Sequence, residues 1–247
     1  MILTFIGTAG SGKTTLTAEF GEYLEENGYA VSYVNLDTGV KRLPYKPDLD
    51  VREEITAWEL MEKGLGPNGA IVNSYDILAP KVEEYAGKIR GLEKRSDYVI
   101  IDTPGQMETF LFHEFGVRLM EAFPDALGVY LFSPEILRKP TDFCFALFFG
   151  LMIDLRLGIT TVPALSKVDT VEDIGKLRKF LDDVEYLTAR LKLEPSTQGL
   201  LAYRLCSALP ELAPPTRVLY LSAKRREGFD ELETVAYEHY CTCGDLT

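Results

Sequence analysis

Short apolar runs alternate along the chain with longer segments of helical periodicity. Short apolar runs that stop at a glycine, an aspartate or a serine are typical of parallel strands covered on both faces. Six such runs predict strands, at residues 2–6, 30–36, 98–101, 126–132, 160–165 and 217–221. Helical patterns lie between and after them, at about 13–26, 56–63, 69–92, 141–157, 171–209 and 229–240. This alternation predicts an α/β fold with a mostly parallel sheet and helices on both faces.

Length and composition fit one folded domain. The chain has 247 residues, of which 46% are hydrophobic and 26% are charged, as in an ordinary globular protein. No repeat, low-complexity tract or linker divides the sequence. We therefore expect a single domain over residues 1–247, with helical insertions at about 51–95 and about 171–209.

Charge and cysteine content narrow the class of protein. A net charge of −12 repels phosphate backbones, so direct nucleic-acid binding is not expected. Four unevenly spaced cysteines are too few for a disulfide scaffold. The longest apolar run, 143–153, is shorter than the roughly 20 residues of a membrane span. The first predicted strand begins at Ile2 and leaves no room for a secretory signal, so we expect a cytoplasmic protein.

A glycine-rich segment follows the first predicted strand and opens the first predicted helix. Residues 7–14 read GTAGSGKT and match the phosphate-loop pattern G-x-x-x-x-G-K-[ST]. Glycines let the backbone turn tightly, so that N–H groups and the helix amino terminus face an anion. Lys13 is expected to reach the β- and γ-phosphates, and the Thr14 hydroxyl to ligate Mg²⁺. The predicted nucleotide-binding residues here are Ala9, Gly10, Ser11, Gly12, Lys13, Thr14 and Thr15. The motif specifies the fold as the three-layer sandwich of P-loop nucleoside triphosphatases.

A second motif, D-x-x-G-Q, follows the third predicted strand at residues 102–106. Parallel strands end at one edge of the sheet, so Asp102 is expected to face the phosphates and hold Mg²⁺. The Gly105 N–H is expected to sense the γ-phosphate. Gln106 stands where GTPases place a glutamine that orients the attacking water. Taken alone, Asp102 would be an ordinary turn residue at a strand end.

Two further carboxylates belong to the same edge of the predicted sheet. Asp37 ends the second strand, and Glu108 lies two residues beyond Gln106. Either could accept a hydrogen bond from an attacking water. Taken singly, each is an ordinary solvated or capping carboxylate.

Two segments after the last predicted strands are typical of a guanine-binding site. Residues 166–169 read SKVD, similar to the N-K-x-D guanine reader, and residues 222–224 read SAK. Asp169 would accept two hydrogen bonds from guanine, which adenine cannot offer. The stem of Lys167 would lie against the base. Ser222 is also expected to bind the nucleotide, and the Ala223 N–H would donate to the guanine O6. The first position is Ser166 rather than asparagine, and serine makes fewer bridging hydrogen bonds.

A Gly-Pro-Asn triplet occupies residues 66–68. With this triplet and the motifs above, the sequence resembles the GPN-loop GTPases over nearly the whole chain. The resemblance implies a homodimer or pseudo-dimer in which the loop bearing Asn68 reaches into the partner's active site. It implies that Asp37, Gln106 and Glu108 occupy the family's positions beside the attacking water and the metal. Eukaryotic members act in RNA polymerase assembly and transport, so an RNA polymerase-related protein partner is implied by resemblance only. Taken alone, the triplet is an ordinary turn between two helices.

Three functions fit the motifs. The first is a Mg²⁺-dependent enzyme that hydrolyses GTP to GDP and phosphate, and acts as a dimeric switch or assembly factor. The alternative is a P-loop kinase acting on a small molecule or a nucleic-acid end, but Gln106 and the guanine reader favour hydrolysis. The third is an ATP-driven dimeric partitioning or metallochaperone ATPase. Such ATPases usually carry a second lysine early in the phosphate loop, where this chain has Thr8 and Ala9.

A loose group of possible metal ligands lies near the end of the sequence, formed by His239, Cys241 and Cys243. These residues supply three ligands at a spacing that matches no structural zinc pattern. We interpret them as a frayed tail with reactive thiols rather than as a metal site.

Overall fold

The computed structural model describes residues 1–212 and 217–244, without the side chains of residues 242–244. Within these residues it contains one sheet of seven strands, and every neighbouring pair is parallel. The strands are β1 (Ile2–Gly7), β2 (Val31–Asn35), β3 (Leu49–Asp50), β4 (Tyr98–Asp102), β5 (Leu127–Phe132), β6 (Thr160–Leu165) and β7 (Leu219–Tyr220). Their order across the sheet is β3-β2-β4-β1-β5-β6-β7. The predicted parallel α/β sheet is confirmed.

Helices connect the strands. Those described are α1 (Lys13–Glu26), α2 (Ala57–Glu62), α3 (Pro67–Leu78), α4 (Val82–Glu93), α5 (Met107–Phe112), α6 (Glu114–Glu121), α7 (Pro140–Leu157), α8 (Ile174–Leu181), α9 (Val184–Leu191), α10 (Thr197–Leu212) and α11 (Phe229–Gly244). None of these helices is both long and apolar enough to cross a membrane. The region at about 51–95 holds α2 to α4, and the region at about 171–209 holds α8 to α10.

Two apolar layers separate the sheet from its helices. Alternate residues of β1 point to opposite faces, as the pleat of a strand requires. Leu3 and Phe5 pack with α1 and α11 on one face, where Phe20 contacts Phe5 edge-on with ring centroids 6.4 Å apart. Ile2 and Ile6 belong to the core on the other face, which α3, α4, α6 and α7 cover. The three-layer sandwich predicted from the phosphate-loop motif is therefore confirmed.

The strand order reverses at β1, and this switch point positions the site. β4 lies on one side of β1 and β5 on the other, and Phe5 pairs with Asp102 in the register. Asn35 of β2 pairs with the same aspartate. Ligands of open parallel sheets bind where the carboxyl ends of strands diverge at such a point. The segments that follow β1, β2 and β4 therefore meet at one edge.

Three details differ from the sequence prediction. The single helix predicted at 69–92 is wrong, because a 3₁₀ turn at Ala79–Lys81 divides it into α3 and α4. Pro80 explains the break, since it has no N–H and its ring obstructs a continuous helix. β3 lies where no strand was predicted, and no helix was predicted where α5 and α6 occur.

Candidate functional site

The phosphate loop is shaped by glycines in left-handed backbone conformations. Gly10 has a φ of +76° and Gly12 a φ of +99°, a region that other residues adopt at a cost. Within the loop the Ser11 N–H donates to the Thr8 carbonyl at 3.1 Å. Gly12 is the residue before α1, so the first N–H groups of that helix face the loop. The segment is a preformed cradle for an anion.

Lys13 lies across this loop and is almost fully buried. Its ammonium donates to the carbonyls of Gly7 at 2.7 Å and Thr8 at 3.1 Å. Burial lowers the pKa of Lys13. Three carboxylates act in the opposite direction, those of Asp102, Asp37 and Glu108. The carboxylates predicted to serve the site are therefore close enough to act on the lysine.

Asp102 is buried behind the phosphate loop and forms the candidate metal site. Its Oδ2 accepts a hydrogen bond from the Tyr45 hydroxyl at 3.0 Å, whereas its Oδ1 has no hydrogen-bond partner among the described residues. Burial raises the pKa of Asp102 to about 6, while the Thr14 and Tyr45 hydroxyls and the Lys13 charge act to lower it. A buried carboxylate oxygen beside a hydroxyl is the kind of donor set that Mg²⁺ prefers. Thr14 and Asp102 therefore fit the predicted cation.

Asp37 joins two loops of the site. Its Oδ1 accepts the Gly39 N–H at 2.7 Å, and its Oδ2 accepts the Gly105 N–H at 2.9 Å. Asp37 is half-buried at the end of β2 and is held by Asn35, whose Oδ1 accepts the Asp37 N–H at 3.1 Å. The Gly105 N–H was predicted to sense the γ-phosphate. Here it already has the Asp37 carboxylate as its acceptor, so a γ-phosphate would compete with that carboxylate.

The Gly-Pro-Asn triplet does not form a loop between helices as the sequence suggested. Gly66 is the residue before α3, while Pro67 and Asn68 form its first turn. Proline suits this position because the first N–H of a helix has no partner within the helix. The exposed Asn68 Oδ1 accepts a hydrogen bond from the Gln106 Nε2 of the same chain at 3.0 Å. The triplet and the D-x-x-G-Q segment therefore meet within one chain.

A cavity of about 750 Å³ lies beside this contact. It is bordered by the phosphate loop, the Asn68–Gln106 pair and the start of α5. The lining residues are Thr8, Ala9, Asn68, Val72, Gly105, Gln106, Glu108, Thr109, Phe112 and His113. The exposed Glu108 and the half-buried Gln106 thus share one open space with the phosphate loop.

The two segments predicted to bind guanine, residues 166–169 and 222–224, are hydrogen-bonded to each other beyond the ends of β6 and β7. The Ser222 hydroxyl donates to Asp169 Oδ1 at 2.6 Å, and the Val168 N–H donates to the Leu221 carbonyl at 3.2 Å. The hydrogen bond from Ser222 lowers the pKa of Asp169, which keeps it an ionised acceptor. Since Ser222 binds one carboxylate oxygen of Asp169, the other can face a ligand.

Ser166 and Lys167 follow β6, but Ser166 is buried whereas Lys167 is partly exposed. Ser166 is buried, and its hydroxyl donates to the Phe132 carbonyl at 3.2 Å, so it fastens β6 to β5. Lys167 has a left-handed backbone with a φ of +55°, and its ammonium lies 3.8 Å from a Glu135 carboxylate oxygen. Lys167 is partly exposed beside Asp169, as its predicted role requires.

Two residues that the sequence pattern did not single out support the site. Tyr45 reaches Asp102 from a stretch rich in proline and charge, and its ring stacks on that of Tyr33 with centroids 5.2 Å apart. Arg226, with a φ of +53°, follows the S-A-K segment and bonds to α1 through Glu19, Glu22 and Glu26. Arg226 therefore anchors the turn after the S-A-K segment to the helix that begins at the phosphate loop.

The cluster near the end of the sequence has no described link to the site. A His239 ring nitrogen lies 3.1 Å from the Asp125 carbonyl, and Cys241 is exposed. The side chain of Cys243 lies outside the described residues. Among residues that are described, no three His, Cys, Asp or Glu side chains group as metal ligands.

Comparisons with known proteins identify the family. A family profile described as "Conserved hypothetical ATP binding protein" matches residues 5–242. A GPN-loop GTPase of Pyrococcus abyssi is 68% identical over 249 residues, covering all of both chains. This chain belongs to the GPN-loop GTPase family. The crystal structure of a GTPase from Pyrococcus abyssi in apo form superposes with a TM-score of 0.95, at 66% identity over 98% of both chains.

Two eukaryotic GPN-loop GTPases are longer than this chain. GPN-loop GTPase 1 of Dictyostelium discoideum is 32% identical over 234 residues, which cover 92% of this chain but 58% of that protein. GPN-loop GTPase 1 of Saccharomyces cerevisiae is 28% identical, and 62% of its length is covered. The chain therefore spans about three fifths of these relatives.

Membership in the GPN-loop GTPases makes this chain a GTPase and supports the predicted reaction over the kinase alternative. The description of the family profile mentions ATP, whereas the named relatives are GTPases. A carboxylate such as that of Asp169 offers only acceptors, which suits the two donors of a guanine edge. GTPases of the P-loop class generally use Mg²⁺.

Proposed function

We propose that this GTPase is a nucleotide-dependent dimeric switch or assembly factor that handles a protein partner. Residues 1–247 work as one domain, and the Asn68 segment of each subunit serves the active site of the other. The exposed apolar side chains of Val72 and Phe112 beside Asn68 carry the dimer, and the role of the Asn68 segment in hydrolysis rests on the hydrogen bond between Asn68 and Gln106 at the cavity beside the phosphate loop. This bond brings the family's defining segment into contact with the glutamine of the D-x-x-G-Q motif.

The phosphate loop holds the triphosphate in this proposal. The backbone N–H groups of residues 9–15 bind the β-phosphate, and Lys13 reaches the β- and γ-phosphates. Thr14 and Asp102 would hold Mg²⁺, which would neutralise phosphate charge when bound. Support comes from the orphaned Oδ1 of Asp102 and from the burial of Lys13 beside it.

Hydrolysis depends on side chains at the cavity. The Gln106 Nε2 donates a hydrogen bond to Asn68, so the Gln106 Oε1 is left as an acceptor for the attacking water. Either Asp37 or Glu108 accepts the remaining hydrogen bond of that water. As the terminal phosphate binds, its oxygens compete with Asp37 for the Gly105 N–H. The Asp37 carboxylate is then released toward the water.

The surface around Asn68 supports the proposed dimer. Asn68 is exposed, and the apolar side chains of Val72 and Phe112 beside it are 47% and 68% exposed. Large exposed apolar side chains around a polar site are typical of interaction surfaces. A second subunit placed there covers them and brings its own Asn68 to the phosphates.

A Gln106→Ala variant tests the assignment of the water-orienting residue. We expect kcat for GTP to fall by about 10²-fold, since a misplaced water loses the geometry of attack. KM should change little, because the phosphate loop and base reader hold the ground state. The measurement is steady-state phosphate release from GTP with no acceptor present. Gln198→Ala, at an exposed amide on α10, is the matched control. Equal losses in affinity and kcat would argue against the role.

An Asp169→Asn variant tests the base reader. Ser222 can still donate to the carbonyl oxygen of the new amide, which turns the amide N–H₂ toward the base. That group repels guanine donors but donates to the extra carbonyl of xanthine. Hydrogen bonds to a charged group contribute about 1.5–3 kcal/mol, so GTP affinity should fall at least tenfold while xanthosine triphosphate affinity rises. Calorimetric titration with both nucleotides measures this. Asp173→Asn, at the residue before α8, is the control. Unchanged GTP affinity would remove Asp169 from the site.

A further inference from the structure

The residues on both sides of Asp37 are hydrogen-bonded to two consecutive residues of α3. The Tyr75 hydroxyl donates to the carbonyl of Leu36, which precedes Asp37. The Thr38 hydroxyl, which follows Asp37, lies 2.7 Å from the Ser74 hydroxyl. All four residues that form these two bonds are fully buried. One helix, α3, thus fixes the backbone on both sides of Asp37.

The direction of the Thr38–Ser74 bond follows from counting protons. Ser74 has one hydroxyl proton, and it donates that proton to the Ile71 carbonyl at 2.6 Å. Its oxygen therefore accepts from Thr38, so Thr38 is the donor of the pair. Replacing Thr38 by valine removes the donor and leaves the bond from Ser74 to Ile71 intact.

The same helix reaches the catalytic cavity at its other end. Asn68 in the first turn of α3 accepts from Gln106, and the Gly105 N–H donates to Asp37. A continuous circuit therefore runs from Asp37 through Gly105 and Gln106 to Asn68, and back along α3 to Asp37. A second hydrogen bond holds α3 against the start of α6, where the His113 Nε2 lies 2.9 Å from the Asp76 Oδ1.

We infer that Thr38, Ser74 and Tyr75 are positioning residues for GTP hydrolysis, which hold Asp37 in place by fixing both of its neighbours to α3. The inference rests on the role proposed for Asp37 at the attacking water. A small shift of Asp37 relative to Gln106 misaligns the water without disturbing the phosphate loop. Replacing any of the three residues should therefore slow the chemical step without weakening nucleotide binding.

The first measurement is the split between kcat and KM in Thr38→Val and Tyr75→Phe. We expect kcat to fall by about tenfold in each, with KM within about twofold of wild type. Thr38→Ser keeps the donor and should restore kcat. The matched control is Ser32→Ala, which breaks another hydroxyl pair, Ser32 with Ser96 at 2.7 Å, at the opposite end of β2. Wild-type kcat in a folded Thr38→Val would overturn the inference, as would an equal loss in Ser32→Ala.

The second measurement is a double-mutant cycle with Asp37→Asn. If Thr38 acts through Asp37, Thr38→Val should cause no further loss of kcat once Asp37 has been replaced. Additive losses would overturn the inference and leave the role of Asp37 standing. Wild-type kcat in Asp37→Asn alone would instead overturn the proposed role of Asp37, and the inference with it.

Discussion

A Lys13→Ala variant should lose GTP hydrolysis almost entirely while it keeps its fold. Lys13 is a buried side-chain cation at the phosphate loop, with its ammonium 2.7 Å from the Gly7 carbonyl. Two charge-assisted hydrogen bonds to phosphates are worth about 3–6 kcal/mol together, at about 1.5–3 kcal/mol each. That corresponds to a loss of roughly 10²- to 10⁴-fold in transition-state stabilisation.

The fold should survive because the loop does not depend on the lysine alone. The Ser11 N–H still donates to the Thr8 carbonyl, and α1 is held by Phe20 in the core. Circular dichroism and thermal unfolding check this, alongside GTP binding and phosphate release. Lys176→Ala on the exposed surface of α8 is the control. Undiminished hydrolysis by a folded Lys13→Ala would refute the assignment of the phosphate loop.

The parts of the site that the sequence predicted are those determined locally. Gly10 and Gly12 adopt backbone angles that glycine favours, so the loop can be recognised from a short run of consecutive residues. Asp37, Asp102 and Asp169 end or follow buried strands, and in a parallel sheet those ends share one edge. Motif order along the chain was therefore enough to place them together.

The parts that were missed depend on contacts between distant segments. Tyr45 reaches Asp102 across 57 positions, and Arg226 reaches Glu19 across 207. No local periodicity marks such pairs, because only the folded chain brings them together. The Ser74–Thr38 pair is similar, since a serine on a helical face gives no sign of what lies opposite. The division of α3 from α4 is different, because Pro80 was visible in the sequence as a helix breaker.

Complementation between two inactive variants should reveal whether Asn68 acts on its own subunit or on the partner. Lys13→Ala and Asn68→Ala are co-expressed with different affinity tags, and the mixed dimer is isolated. If Asn68 acts in trans, one site of the mixed dimer combines an intact phosphate loop with an intact Asn68. Activity should then return to about half of the wild-type rate per dimer, since one of two symmetric sites works.

The reference for that half rate is a mixed dimer of Lys13→Ala with Asn73→Ala. Asn73 is an exposed amide on the same helix, so its loss disturbs α3 in a comparable way. One site of this control dimer is complete whether Asn68 acts in cis or in trans. The two mixed dimers should therefore have equal phosphate-release rates if the proposal is right.

The contact between Asn68 and Gln106 within one chain makes the opposite outcome a physical alternative. An amide 3.0 Å from its own glutamine is already placed to serve its own site. In that case each subunit of the mixed dimer carries its own defect, and the dimer stays inactive while the Asn73→Ala control reaches half rate. The proposed trans role requires the partner's Asn68 to replace this contact when the subunits close. Closure would then also cover the exposed Val72 and Phe112, so hydrolysis by a monomer at the full rate would contradict both the dimer and the trans role.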